Sequence, residues 1–536
     1  MSRLLLLACF LLAAPVLGVL GSWLGLDAAS LAVLRHQADT VLAGYVANSL
    51  LLALLVGAGV AVVGGACAAL VVLFEFPLRR VFEWALLLPL AMPAYVLAYA
   101  ATDFLQFSGP LQTVLRELTG AQGALWPDVR SLGGAAVLFV LCLYPYVYLL
   151  TRAALGERAV PLMEAARLLG TDPWRRVREV ALPLARPALA AGVALALMET
   201  LADYGVGAYF GLQTFTTGIY KAWLVMYDRD AAAQLASLLL AVVALLLWLE
   251  RRSQRRLRYA ASRRGAAHGA EARPLRLQGA PAALAVLACS LPVLLGFLLP
   301  VAVLLRLLWL EAAHSEFGLP LARFAQWCWT SFKLAGMAAL LTTAVALLLG
   351  FALRLRESPA LQAGARIVSL GYAVPGAVIA VGILLPVGWL QARWPQAGSA
   401  ALVTGTLFGL MYAYLVRFSA VALQSVEAGY ARLPIAIDET ARMLGATRRR
   451  LFAELHAPLL NRAALAALLL VFVDVMKELP ATLVLRPFDS DTLAVVANQL
   501  ARDERLGEAA LPSLAIVAVG LLPVLLLSRS LRAEPG

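Results

Sequence analysis

About twelve long apolar stretches run through this 536-residue chain and decide what it can fold into. An α-helix needs about 20 mainly apolar residues to cross the hydrocarbon of a bilayer. Only 14% of the residues are charged, whereas a soluble domain carries roughly 25%. The chain therefore predicts an all-α polytopic membrane protein. We place its helices near 3–25, 46–74, 82–106, 132–152, 189–209, 231–249, 281–310, 329–353, 366–391, 399–424, 464–485 and 511–528.

Basic residues concentrate in every second connection between these helices. They lie at Arg79/Arg80, 152–186, 251–276, Arg354/Arg356, 432–462 and Arg529/Arg532. Because Lys and Arg are retained on the cytoplasmic side of short loops, we expect these connections and both termini to be cytoplasmic. The same loops account for the net charge of +12, so the basic composition predicts a lipid bilayer and no nucleic acid as the partner.

One polar sequence occurs twice between apolar stretches. Glu164-Ala-Ala-Arg-Leu-Leu-Gly170 returns as Glu439-Thr-Ala-Arg-Met-Leu-Gly445, so Glu439 follows Glu164 by 275 residues. Ten positions are identical between 164–188 and 439–463. A repeat of this spacing predicts two homologous halves that present similar elements to the same side of a membrane.

The repeat also predicts the division of the chain. We expect a first half at 1–249, a basic linker at 250–279 and a second half at 280–536, each half with about six helices. We name the polar segments the first repeat loop, 153–187, and the second repeat loop, 425–463.

Each repeat loop predicts a helix, a turn and a second helix. Gly170 and Gly445 end the first helix in a left-handed conformation, which glycine adopts without steric cost. Asp172 and Thr447 then serve as N-caps. We expect the second helix to stop at the proline that follows, Pro183 in the first loop.

Polar residues interrupt two of the apolar helices, and such interruptions mark transport pathways. Each half carries two carboxylates at spacing i, i+4, which places them on one helical face. Carboxylate oxygens are hard donors that suit a highly charged cation, so the four could form a transient metal site. Ion pairs of a gate, for instance between Lys477 and a carboxylate of the other half, are an equal alternative. The predicted path comprises Glu199, Asp203, Tyr204, Asp474, Lys477 and Glu478.

Other polar residues receive plainer interpretations. The five cysteines show no paired spacing, so they predict neither disulfides nor a zinc site. The four histidines, His456 among them, are far apart in sequence and are interpreted as loop residues. Tyr144, Tyr146 and Tyr148 are interpreted as an interfacial aromatic belt.

The chain lacks the signature of an ATPase. No Gly-x-x-x-x-Gly-Lys-Ser/Thr motif occurs, so we expect this chain to bind no cofactor and to leave ATP to partner subunits. No nucleophile and base are combined in its loops, so we do not expect an enzyme.

At the repeat loops the sequence resembles a known family. Glu-Ala-Ala, a glycine four residues on and Leu-Pro thirteen residues after it are similar to the coupling loop of ABC importer permeases. The second copy departs from that pattern at Thr440 and at Ala457 but keeps a small residue at both positions. The resemblance implies that each loop docks into one of two copies of a cytoplasmic ATPase. The implied coupling residues are Glu164, Ala165, Ala166, Gly170, Glu439, Thr440, Ala441 and Gly445.

The sequences around the carboxylates narrow the resemblance. Glu199-Thr-Leu-Ala-Asp-Tyr-Gly and Met476-Lys-Glu-Leu-Pro-Ala-Thr482 look like the fused ferric-iron permeases, and the resemblance runs from about 45 to 530. It implies a bacterial inner-membrane importer that receives Fe3+ from a periplasmic binding protein and moves it by alternating access. Permeases for thiamine, polyamines and sulfate are near relatives of that family, so thiamine, a polyamine or another small solute is the alternative substrate.

Two further classes compete with a permease. A secondary transporter with twelve helices would use the buried carboxylates as proton relays and would need no ATP. A membrane-embedded enzyme is disfavoured because the loops combine no nucleophile with a base and no set of metal ligands.

Overall fold

The computed structural model describes residues 2–25, 27–156, 166, 169–261, 275–315, 318–355 and 358–532. Helices make up most of this part of the chain, which confirms the all-α prediction. Two-residue strands β1 (Phe74–Glu75) and β2 (Leu275–Arg276) pair in parallel, with Phe74 opposite Leu275.

The helices up to the basic linker are α1 (Ser2–Gly21), α2 (Ala28–Thr40), α3 (Leu42–Leu73), α4 (Arg79–Ala85), α5 (Ala94–Leu105), α6 (Pro110–Thr119), α7 (Leu132–Ala154), α8 (Pro173–Arg176), α9 (Leu182–Ala202), α10 (Gly205–Tyr209), α11 (Phe215–Tyr220) and α12 (Arg229–Ala261). π-helical turns lie at Val177–Ala181 and Lys221–Val225, and 3-10 turns at Ser22–Gly25 and Leu88–Ala91.

The helices after the linker are α13 (Ala280–Val293), α14 (Leu299–His314), α15 (Leu321–Leu355), α16 (Pro359–Val368), α17 (Gly376–Arg393), α18 (Ser399–Thr404), α19 (Leu407–Tyr430), α20 (Ile435–Met443), α21 (Arg448–Arg450), α22 (Ala457–Leu459), α23 (Asn461–Lys477), α24 (Pro480–Leu485), α25 (Leu493–Arg502) and α26 (Leu506–Arg532). π-helical turns lie at Leu294–Leu298 and Leu451–His456, and 3-10 turns at Gly371–Ala373 and Pro395–Ala397.

The helices match the predicted membrane spans. Ten of those in the described residues are long and apolar enough to cross a membrane, and two bent pairs raise the number to twelve. The bent pairs, Arg79–Ala91 with Ala94–Thr119 and Arg448–Leu459 with Asn461–Lys477, fall in or beside the predicted spans near 82–106 and 464–485. Length and composition therefore predicted every span.

The chain forms two compact units, each assembled from separate segments. The first unit contains Val41–Thr217, Ala241–Leu319 and Ala497–Gly536. The second unit contains Met1–Thr40, Gly218–Leu240 and Pro320–Val496. The predicted halves divide the chain by its repeat and not by packing, so that division stays a prediction.

Each unit has a core of three long helices. In the first unit α3 packs on α7 and α9, and α9 packs on α7. In the second unit α15 packs on α19 and α23, and α19 packs on α23. Since α7 at Leu132–Ala154 and α19 at Leu407–Tyr430 begin 275 residues apart, the two cores are copies of one arrangement.

Glycines set the spacing in the core of the first unit. A Cβ at Gly64 of α3 would lie 2.6 Å from the carbonyl oxygen of Tyr144, and one at Gly192 of α9 would lie 2.6 Å from the Cα of Val147. Small residues at helix contacts let backbones approach closely where the surrounding lipid gives no hydrophobic drive to association.

This packing corrects the interpretation of two tyrosines. Tyr144 and Tyr148 are fully buried rather than interfacial, and the Tyr148 hydroxyl donates to the carbonyl oxygen of Glu83 at 3.0 Å. They are one helical turn apart and flank the backbone of α7 that meets Gly64. A spacing of four therefore marks a helix contact here, and the aromatic-belt prediction was wrong for both.

Candidate functional site

The second repeat loop forms a helix that ends in a tight glycine turn. Helix α20 is followed by Gly445 at a φ of +79°. The N–H of Ala446 donates to the carbonyl of Ala441 at 3.0 Å, and the N–H of Gly445 donates to that of Arg442 at 2.9 Å. This pair of bonds is the Schellman motif, which pairs the last carbonyls of a helix.

The first repeat loop contains the same turn in its described residues. Gly170 has a φ of +74°, and the N–H of Thr171 donates to the carbonyl of Ala166 at 3.3 Å, as the counterpart residues do in the second loop. The predicted left-handed glycines are thus confirmed in both loops. Glu164 and Ala165 of the predicted coupling residues lie outside the described part of the chain.

Both predicted N-caps follow the turns. Asp172 Oδ2 accepts from the N–H of Arg175 at 3.4 Å, and Thr447 Oγ1 accepts from the N–H of Arg450 at 3.3 Å. These bonds satisfy N–H groups that a helix start leaves free. The two loops therefore share one backbone design despite different capping residues.

The predicted stop at Pro183 was wrong. Helix α8, the π-helical turn Val177–Ala181 and α9 follow one another without a gap, with Pro183 in the first turn of α9. The N–H of Leu182 bonds to the carbonyl of Val177, five residues back. Because the hydrogen-bond register already changes here, the N–H that proline lacks falls at a shift in the ladder and not within a regular helix.

In the second loop the helix does end near its proline. A π-helical turn again precedes it, at Leu451–His456, but the chain then bends by 71° between Arg448–Leu459 and Asn461–Lys477. The prediction that this helix ends at Pro458 is right to within one residue.

Each turn carries exposed apolar side chains. Leu169 and its counterpart Leu444 are each 82% exposed, and Met443 is 88% exposed. Glu439 and Thr440 are also exposed on α20. Since large apolar side chains outside the spans rarely stay in water without a partner, these tips have the chemistry of a protein docking surface.

A buried cluster behind α20 escaped the sequence analysis. Asp438 is 4% exposed and His456 is 1% exposed, and the Nε2 of His456 lies 2.7 Å from Oδ1 of Asp438. The interpretation of His456 as a loop residue was therefore wrong, because its partner lies 18 residues away along the chain. No ligand spacing signals such a pair.

Two of the four predicted path carboxylates cap short helices. Asp203 Oδ2 accepts from the N–H of Val206 at 2.9 Å and of Gly207 at 3.4 Å, at the start of α10. Glu478 accepts from the N–H groups of Ala481 and Thr482, both at 2.9 Å, at the start of α24. The repeat thus places a capping carboxylate at the same break in each half.

Glu478 lies in the more crowded of the two breaks. It also accepts from the Thr482 hydroxyl, and Arg417 Nη1 is 3.8 Å from its Oε1. A Cβ at Gly376 would lie 2.9 Å from Glu478 Oε1. The carboxylate is 2% exposed in this packing. A buried charge of this kind is held by its hydrogen bonds.

The remaining predicted path residues take no part in these caps. Glu199, Asp474 and Lys477 are partly exposed, and Tyr204 accepts from Arg502 Nη1 at 3.4 Å. Glu199 and Asp203 belong to the first unit, whereas Asp474 and Glu478 belong to the second. Within the described residues, no three His, Cys, Asp or Glu side chains group to hold a metal ion. The transient metal site therefore stays a prediction.

Comparison with known proteins gives the class of this chain. Residues 61–259 match the sequence model of the family described as "Binding-protein-dependent transport system inner membrane component". These residues are therefore similar to the inner-membrane permeases of binding-protein-dependent ABC importers, and the described helices are long and apolar enough to cross a membrane several times. Such a permease works with a separate ABC ATPase and with a periplasmic binding protein.

Individual relatives place it more closely. The chain is 25% identical over 496 residues to the Fe(3+)-transport system permease protein FbpB 2 of Haemophilus influenzae, a match that covers 91% of this chain and 90% of the relative. It is 27% identical to the putative 2-aminoethylphosphonate permease PhnU of Salmonella choleraesuis, over 38% of this chain and 72% of the relative. It is 29% identical to the molybdenum permease ModB of Escherichia coli, over 35% of this chain and 85% of the relative.

The caps predict a stability effect that needs no substrate. Replacement of Glu478 by Ala removes the acceptor for three hydrogen bonds in a buried site, so we expect a loss of about 1–3 kcal/mol. Glu478→Gln keeps one acceptor oxygen and should lose less. Thermal unfolding of the purified protein without substrate measures both.

Glu199→Ala is the matched control, because this partly exposed carboxylate caps no helix in the described structure. We expect its melting temperature to stay near that of the wild type. Equal melting temperatures for Glu478→Ala and the wild type would show that the cap contributes nothing.

Proposed function

We propose that this permease imports ferric iron delivered by a periplasmic ferric-binding protein. Two copies of a cytoplasmic ABC ATPase dock on its repeat loops and hydrolyse the ATP, while the chain itself binds no cofactor. Both termini face the cytoplasm. Alternating access between the two sides of the membrane carries the ion inward.

The duplicated glycine turn is the observation that supports docking. In the described residues the two turns share a left-handed glycine, one backbone bond and an exposed leucine, Leu169 or Leu444. Two copies of one ATPase present two identical grooves, and two similar loops on one chain suit that symmetry.

The length of the match to one relative supports ferric iron over other solutes as the substrate. FbpB 2, a relative whose name states Fe(3+) transport, matches 91% of this chain and hence both copies of the repeat. PhnU and ModB match only 38% and 35% of it. The carboxylates Glu199 and Asp474 add hard oxygen donors, which suit Fe3+ better than a neutral or anionic solute.

The direct experiment is uptake of radiolabelled ferric iron into proteoliposomes. They contain the permease with its ATPase, and a ferric-binding protein is supplied outside. We expect uptake that needs both internal ATP and the binding protein. ATP hydrolysis stimulated by other binding proteins but without iron uptake would move the substrate to thiamine, polyamines or another small solute, and no association with an ATPase would contradict the docking.

The glycine turns predict an uncoupled variant. Gly445→Val forces a β-branched residue to a φ of +79°, at a cost of about 1–2 kcal/mol or more, so the turn should open. We expect at least tenfold less iron uptake per ATP hydrolysed, with the protein still inserted in the membrane. The ratio of uptake to hydrolysis measures this effect.

Gly398→Val is the matched control for strain alone. Gly398 also has a left-handed φ, +61°, and a Cβ there would meet nothing within 4 Å, but it lies between α17 and α18, outside the basic connections that we expect to be cytoplasmic. Its uptake per ATP should stay near the wild-type value. An unchanged ratio for Gly445→Val, or for Gly170→Val in the first loop, would remove the role of the turns.

The carboxylates outside the caps predict a substrate effect. Neutralising both in Glu199→Gln with Asp474→Asn should lower iron uptake strongly, because hard anionic oxygens are lost from the path. Binding of the ATPase, measured by co-purification, should not change. Normal uptake by the double variant would instead support a gate or structural role for these groups.

A further inference from the structure

Three segments of the second unit meet at one buried carboxylate, Asp438 of α20. Its Oδ2 accepts from Arg354 Nε at 2.7 Å, and its Oδ1 lies 2.7 Å from His456 Nε2. Arg354 lies at the end of α15, and His456 closes the π-helical turn that leads to α22. Both oxygens of Asp438 are thus engaged by segments on either side of α20.

The chain of contacts continues to α19. The Nδ1 of His456 lies 3.1 Å from the hydroxyl of Tyr430, the last residue of α19. The rings of Tyr430 and Phe351 both meet the imidazole edge to face, with centroids 5.4 Å and 5.1 Å away. The imidazole is therefore fixed by hydrogen bonds at both nitrogens and by aromatic packing.

Arg354 also holds the entry to α20. Its Nη2 donates to the carbonyls of Leu433 and Pro434, both at 2.9 Å, just before the helix begins. Arg354 thereby fixes the start of α20 by the backbone and its first turn by Asp438. The start and side chain of one short helix are tied to the end of a long span.

The opposite charges of Asp438 and Arg354 stabilise these contacts. Burial by itself would raise the pKa of Asp438, but the hydrogen bonds from Arg354 and His456 lower it below its ordinary value. The carboxylate is thus ionised at neutral pH and paired with a guanidinium that is 14% exposed. Removing one member of a buried pair leaves the other uncompensated, which is far costlier than losing an exposed pair.

A metal or catalytic role does not fit the cluster. One histidine and one carboxylate are too few ligands for a metal, and Arg354 occupies the second carboxylate oxygen. A Tyr–His–Asp chain resembles a catalytic relay, but His456 is 1% exposed and offers no reactant an approach. The contacts instead hold α20 against its neighbouring segments.

The first repeat loop lacks these groups. The residues 275 positions before Asp438, His456 and Tyr430 are Met163, Ala181 and Leu155. Only the arginine recurs, as Arg79, and its Nε donates to the carbonyl of Val71 at 2.6 Å. The first repeat loop therefore cannot form the same side-chain contacts at its equivalent positions.

We propose that Arg354, Asp438 and His456 are positioning residues that fix α20 to the ends of α15 and α19, so that the second repeat loop transmits the motion of its ATPase to these helices. The inference rests on the proposed docking of an ATPase at these loops.

Hydrogen exchange of the purified full-length permease, without ATPase, tests the anchorage. Asp438→Asn and His456→Leu should speed exchange in the peptide 435–446 by about tenfold or more, since each removes a buried hydrogen bond to a charged group. His456→Gln, which keeps an N–H for Asp438, should restore most of the protection. Tyr430→Phe loses only one hydroxyl, so it should speed exchange less. This variant tests the anchorage if the stronger variants fail to fold.

Glu454→Gln is the matched control. Glu454 lies two residues before His456 in the same π-helical turn, but its ion pair with Arg450 is exposed. Exchange in 435–446 should be unchanged in this variant. Wild-type protection in Asp438→Asn, His456→Leu and Tyr430→Phe would overturn the anchorage.

The second measurement is iron uptake per ATP hydrolysed. A more mobile α20 that played no part in transmission would leave this ratio unchanged. In proteoliposomes with the ATPase, His456→Leu should lower iron uptake per ATP hydrolysed at least threefold, and His456→Gln should recover it. Faster exchange with an unchanged ratio would overturn the transmission. If the wild type itself neither binds an ATPase nor takes up iron, the proposed function fails, whereas the exchange result still decides the anchorage.

Discussion

The need to pair every backbone N–H and C=O group in a medium without water governs this structure. In hydrocarbon an unpaired group costs several kcal/mol, so a spanning helix can break only where other groups complete its hydrogen bonds. The helices break after Ala202 and after Lys477, and there Asp203 and Glu478 accept the free N–H groups of α10 and α24. Two carboxylates that are predicted to lie on the translocation path therefore also complete the hydrogen bonds where the helices break.

The two repeat loops have the same glycine turn but different neighbouring side chains. The left-handed glycine, the bond to the carbonyl five residues before the next residue and the exposed leucine recur at Gly170 and Gly445 in the described residues, which suits the proposed docking to two equal partners. The residues at the positions equivalent to Asp438 and His456 are Met163 and Ala181, so the sequence does not repeat that cluster. The two loops therefore share the turn, whereas the Asp438 cluster belongs to the second loop.

The length of the apolar runs and the chemistry of neighbouring residues predicted much of this fold. Spans follow from 20-residue apolar runs, and the left-handed glycines and the caps at Asp172 and Thr447 follow from neighbouring residues alone. Errors arose where distant contacts decide. The π-helical turn that absorbs Pro183, the burial of Tyr144 against Gly64 and the pairing of His456 with Asp438 each depend on hydrogen-bond register or packing that no local pattern records. The sequence identified both carboxylate pairs, whose place on a transport path stays a prediction, but it could not show that one member of each caps a helix.

One ATPase dimer can reach both repeat loops only if both face the cytoplasm. Single cysteines introduced as Leu169→Cys and Leu444→Cys, in a chain whose five native cysteines are replaced, sit at highly exposed positions of the two turns. A membrane-impermeant maleimide is then applied to right-side-out and to inside-out vesicles. We expect both positions to be labelled in inside-out vesicles only. Labelling of the two positions from opposite sides would contradict it.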